Sequence, residues 1–295
     1  MSDPVPAVAE AAATGETARI FADIRRVLGV EVVNLIWRHL ATIPAALPWA
    51  WRMLRPLYAD GTIATEALAL HSRLRLPQLP PFPPELLVVV DLAGGDIATI
   101  RNILAAYDRT NAMALIALST LLCRLEELTS DPEDLGNERS LAEPPSSIPL
   151  PPLPGLADLP EPVAKLILTL NRLGTRREQP ILASMYRHLA YWPAYLALSW
   201  TLIAPLDADG SLDRAIAEAL VGAQARAAIL AARLHAPPLD TPTRASIRSA
   251  VEPFAGDVIG KMVVICALLR AATGPQIETE PKEVPHEAWR SDTGN

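Results

Sequence analysis

The chain has 295 residues, half of them hydrophobic, with aromatics at only 5% and a formal net charge of −7. Ala and Leu make up most of the apolar set, which favours helix over sheet, because β-branched and aromatic runs are scarce. The acidic balance, with no clustered basic stripe, argues against nucleic acid as a partner. The greasiest runs, 112–123 and 262–272, are about half of the ~20 residues that span a bilayer, so no membrane partner is expected.

In chain order, residues 1–17 are Ala-rich and acidic, without a basic region ahead of an apolar core. They read as a disordered, frayed leader and not as a signal peptide. Ile20, Phe21, Ile24, Val27 and Leu28 recur at helical spacing and predict a helix that Gly29 ends. A second helix is expected over 32–42, broken before Pro44, and a third from there to about 57. Asp60-Gly61 is a turn, and Thr62 is placed to cap a helix over 63–75. The prolines of 76–84 demand an extended connection. Helices then follow over 85–93 and 96–108, with a buried one from 111 to 128.

Nine prolines fall in residues 130–162, a linker expected to wrap over the surface. Beyond it helices are expected over 163–173, 179–191, 194–204 and 211–234. Thr241 reads as a cap with Pro242 at the first helical position, opening a helix to 251. A last buried helix covers 256–272, and residues 275–295 read as a disordered tail.

The two sides of that linker share a sequence. Arg38-His39-Leu40-Ala41 returns 149 residues later as Arg187-His188-Leu189-Ala190. Across residues 38–61 and 187–210, 13 of 24 positions are identical, with Trp51/Trp200 and Pro56/Pro205 in step. The reading is an all-α, internally duplicated pseudo-dimer, with repeats over 18–129 and 163–274. A site is then most naturally sought between the halves.

No Gly-rich phosphate loop, His-Glu-x-x-His, Gly-x-Ser-x-Gly or metal-spaced Cys/His set occurs. No cofactor or metal is therefore implied. Cys123 and Cys266 lie in apolar runs, as buried reduced thiols of a cytoplasmic-type chain would. His39 and His188 have two readings, an acid–base pair or a helix-end packing element. The second is favoured, because a structural residue is expected in both copies. Where the copies diverge, Thr42-Ile43 becomes Tyr191-Trp192, and Asn34-Leu35-Ile36-Trp37 becomes Ala183-Ser184-Met185-Tyr186. A pocket between the halves or simple drift explains this equally.

The run Leu40-Ala41-Thr42-Ile43-Pro44, with Leu47-Pro48 and Ala50-Trp51-Arg52, resembles the group I 2-haloacid dehalogenases. The likeness extends from Phe21 to Ala272. It implies an all-helical pair of repeats and a small-molecule pocket between them. It also implies a mechanism in which an aspartate activates water to displace halide, without metal or covalent intermediate. By this resemblance Met185 stands at the aspartate's position, Ser184 is kept, and Tyr191 replaces an asparagine. Asn111 is kept, Ala114 takes a pocket tyrosine's place, and Val32 and Leu35 take those of a tryptophan and a phenylalanine.

A thioether has no useful basicity, and no carboxylate occurs between Gln179 and Leu206. The expected function is a non-dehalogenating relative that binds a small apolar or carboxylic ligand. Two alternatives stand beside it. One is an active hydrolase on 2-haloacids with its base moved to His188, which shares a helix face with Ser184. The other is a ligand-free scaffold acting through surface contacts or as a homodimer.

Overall fold

The computed structural model describes residues 5–92, 94–128, 149–175, 177–235 and 237–274. Among them the regular structure is entirely helical, with no strand. The first half opens with α1 (Gly15–Leu28), α2 (Leu35–Leu40), α3 (Ala46–Ala59) and α4 (Thr62–His71). After the proline-rich connection come α5 (Pro84–Val89) and α6 (Gly94–Leu125). The second half contains α7 (Glu161–Asn171), α8 (Ser184–His188), α9 (Pro193–Ala208), α10 (Ser211–Ala232), α11 (Thr241–Pro253) and α12 (Gly260–Thr273).

The spine is α6, whose 32 residues extend about 48 Å at 1.5 Å per residue. It packs against α4, α10 and α12, and one continuous apolar core runs through both halves. Two separate helices were expected here, because Asp108-Arg109-Thr110-Asn111 looks like a polar break. The helix continues because that polar run finds partners. The Thr110 hydroxyl donates to the Ala106 carbonyl at 2.7 Å, and Asp108 pairs with Arg270 of α12. A buried ion pair, Arg226 Nη1 to Glu66 Oε2 at 2.6 Å, ties α10 to α4. By composition α10 is apolar enough to cross a membrane, but half of that stretch is buried within the fold.

Several boundaries differ from the sequence expectation for local reasons. The leader is not frayed over its described part. Val8 N–H donates to the Arg38 carbonyl, and Glu10 pairs with Arg25 while accepting from Val33 N–H at 2.8 Å. Thr62 is the first residue of α4 and not its cap. Asp60 Oδ1 accepts its N–H, and Gly61 takes the left-handed conformation (φ 81°) that the turn requires. Ser211 repeats this with Asp209 and Gly210 (φ 74°). Asp240, not Thr241, caps α11, accepting from both Thr243 N–H and its hydroxyl. Helix α8 spans only five residues, because 179–183 run extended. Residues 254–259 form a π turn that joins α11 to α12, which accommodates Pro253 without breaking the helical run. Of the expected linker and tail, 129–148 and 275–295 lie outside the described residues.

Candidate functional site

Between the halves lies a cavity of about 1430 Å³. Its walls come from the α1–α2 loop, α4, the middle of α6, residues 149–153, α8, the π turn and α12. Of the pocket residues expected from sequence, Val32, Asn34, Leu35, Asn111, Ser184, Met185 and His188 line it. Two do not. Ala114 is buried in the core, and Tyr191 is half exposed on the outside, where its hydroxyl donates to the Pro152 carbonyl at 2.8 Å.

Ser184 and Met185 begin α8, and their placement is set from behind. Asn171, at the end of α7, donates to the Ile181 carbonyl (3.2 Å) and accepts from Ala183 N–H (3.0 Å). Its own carbonyl accepts from the buried Lys261 ammonium of α12. Burial pulls that ammonium down to about 8, against the opposing pull of Asp257 and Asp207. Nothing in the local sequence marks Asn171 or Lys261, whose roles appear only when α7 and α12 meet.

Met185 is 1% exposed, and its sulfur lies 3.3 Å from Cys266 Sγ. The Asn111 amide in turn donates to Cys266 Sγ at 3.5 Å. Burial pushes the Cys266 thiol well up, so it stays protonated. Both cysteines are free and buried, and they sit in different core clusters.

Ser184 and His188 do not meet directly. Tyr107 of α6 comes between them, with its phenol 2.7 Å from His188 Nδ1 and hydrogen-bonded to the Ser184 hydroxyl. His188 also bonds the Pro151 carbonyl. Burial pulls its imidazole down to about 4, partly opposed by that Pro151 contact, with the Arg187 charge adding to the fall. The ring is neutral at pH 7, and its Nδ1 is taken up by the Tyr107 phenol. Tyr107, absent from the sequence expectation, carries only the weak signal of a lone tyrosine in a helix.

The other carboxylate of interest is Asp108. It is 4% exposed, and Oδ2 is held by the Arg270 guanidinium. Oδ1 lies 3.6 Å from His71 Nε2 and has no hydrogen-bond partner among the described residues. Around the helix from it, Arg109 is half-buried on the cavity wall, with neither a carboxylate nor a carbonyl against it among the described residues. Burial alone lowers its pKa. Among the described residues no group of His, Cys, Asp and Glu could hold a metal ion.

The comparisons with known proteins agree with this architecture. Over 210 residues, covering 67% of this chain and 68% of the relative, the sequence is 29% identical to a configuration-inverting 2-haloacid dehalogenase from Alcaligenes xylosoxydans xylosoxydans. Solved structures of a D-2-haloacid dehalogenase superpose with the same fold. One is titled as a complex with L-LA (TM-score 0.70, 16% identity, 91% of this chain and 96% of that one). A second is a mutant titled as a complex with D-2-CPA (TM-score 0.68, 17% identity, 91% and 94%). No known family's sequence profile matches. The chain is thus all-helical, similar in sequence to a 2-haloacid dehalogenase and alike in fold to D-2-haloacid dehalogenase structures. The relative matched in sequence is the configuration-inverting kind.

Proposed function

We propose that this protein binds a small apolar or carboxylic ligand in the cavity between its halves and does not dehalogenate it. The carrying observation is Met185, a buried thioether against Cys266 Sγ, at the place where the resemblance puts the water-activating aspartate. General-base assistance contributes on the order of 10²–10⁴-fold, and no carboxylate between Gln179 and Leu206 offers a replacement. The cavity itself argues against a ligand-free scaffold, since neither Met185 nor Tyr191 fills it.

The test is halide release from D- and L-2-chloropropionate by the purified protein. None is expected from the wild type, and Met185→Asp is expected to gain it. Release by the wild type overturns the reading.

One observation favours a second reading, a hydrolase with its base relocated. The base would be Asp108 rather than His188, because Asp108 Oδ1 is a buried carboxylate oxygen at the cavity wall with no hydrogen-bond partner among the described residues. Wild-type release abolished by Asp108→Asn and retained in His188→Gln would establish it.

A further inference from the structure

We propose that the ligand is an amphipathic carboxylate with an apolar body longer than that of a three-carbon acid, its anionic head on Arg109. This rests on the binding reading above and names the class of molecule bound.

The first observation is size. Pockets that enclose drug-sized molecules measure roughly 300–1,000 Å³, and this one is about 1430 Å³. A three-carbon acid would leave most of it to water against apolar walls, which is unfavourable. A longer body covers those walls.

The second is charge. The lining carries four arginines (Arg38, Arg101, Arg109 and Arg270) against two carboxylates (Glu31 and Asp108), a formal excess of 4 − 2 = +2. The chain as a whole carries −7. A basic lining in an acidic protein selects an anion. Arg270 is already committed to Asp108, and Arg101 to the Thr273 and Gly274 carbonyls. Among the described residues Arg109 has no such partner and it is half-buried, so a carboxylate seated on its guanidinium gains two charge-assisted hydrogen bonds.

The third is position. Arg109 lies two residues from both Tyr107 and Asn111, about 200° around the helix, on the flank shared with Asn102 and Ala105. These also line the cavity. The cavity therefore wraps the middle of α6, and the head group sits away from Met185 and Ser184. The site is distinct from the one that the resemblance implies.

The experiment is a calorimetric titration of the full chain with acetate, butanoate, octanoate, decanoate and decanol. Affinity is expected to rise about fourfold per added methylene until the cavity fills. Decanol is expected to bind at least about tenfold more weakly than decanoate. Arg109→Gln should bring decanoate down to the level of decanol and leave decanol unchanged, with the helical circular dichroism intact. Val32→Trp, at the exposed rim, should shorten the preferred chain length. A flat response from butanoate to decanoate, equal affinity for decanol and decanoate, or an unchanged Arg109→Gln variant overturns the proposal. Those results leave the halide assay untouched, so this inference and the binding reading fail separately.

Discussion

The segments beginning at Arg38 and Arg187 share 13 of 24 residues but do different things with the same histidine. His39 Nδ1 lies 2.7 Å from the carbonyl of Pro6, in the extended segment before the first half. His188 bonds the carbonyl of Pro151, in the extended segment before the second half. The neighbouring arginines grip the same segments, through the Arg38 carbonyl with Val8 N–H and through Arg187 Nε with the Pro154 carbonyl at 2.7 Å. In both places Arg-His is a latch on the incoming chain. His188 also meets α6, where Tyr107 occupies Nδ1 and burial strips the ring of its basicity. Shared sequence thus reproduces the latch, and an outside element decides the histidine's chemistry.

That comparison can be broken in several ways. It presumes that both copies belong to one cooperative body, held in part by the buried Arg226–Glu66 pair. Arg226→Met leaves Glu66 buried without its partner and is expected to cost about 3–5 kcal/mol in urea unfolding. A loss under about 1 kcal/mol, or two separate transitions, would mean that the halves are independent. Next come the histidines themselves. His188→Ala removes the buried contacts to the Tyr107 phenol and the Pro151 carbonyl, for an expected loss of about 1–3 kcal/mol. His39→Ala, at a more exposed site, should change stability by only about 0.5 kcal/mol. Equal losses would erase the distinction drawn between the copies.

The same asymmetry has a pH signature. With His188 at about 4 when folded, against 6.5 ordinarily, the unfolded chain takes up the proton first. Stability is lost as pH falls from about 6.5 towards 4, because the unfolded state binds more protons in that window. His188→Gln should flatten that part of the stability profile. The smallest effect belongs to Tyr191. Tyr191→Phe removes one exposed hydrogen bond to Pro152, so stability should drop by at most about 1 kcal/mol and decanoate affinity should not change.

Much of the helical plan was legible because the apolar spacing around Phe21 and Ile24 and the breaks at Gly29 and Gly61 are local signals. The polar run at Asp108–Asn111 misled for the opposite reason. Asp108 and Asn111 find Arg270 and Cys266, more than 150 residues away, and local reading takes unsatisfied polarity for a helix end. The candidate site divides along the same line. Asn111, Ser184, Met185 and the α1–α2 loop could be placed by motif alone. Tyr107, Arg109 and Lys261 could not, because a lone tyrosine, arginine or lysine acquires meaning only from what packs against it. Tyr191 was misplaced because sequence similarity fixes a position along the chain but not the side of it that faces inward.

The unbroken α6 has a mechanical consequence. A rod about 48 Å long with no flexible joint at Asp108–Asn111 leaves the two halves no hinge along the spine. The cavity opens to solvent where Val32 stands at its rim, and residues 149–153 line it with no helix of their own. Their grip on the body comes through Arg187, His188 and Tyr191. The second latch thus holds one wall of the cavity in place, while the unbroken α6 fixes another.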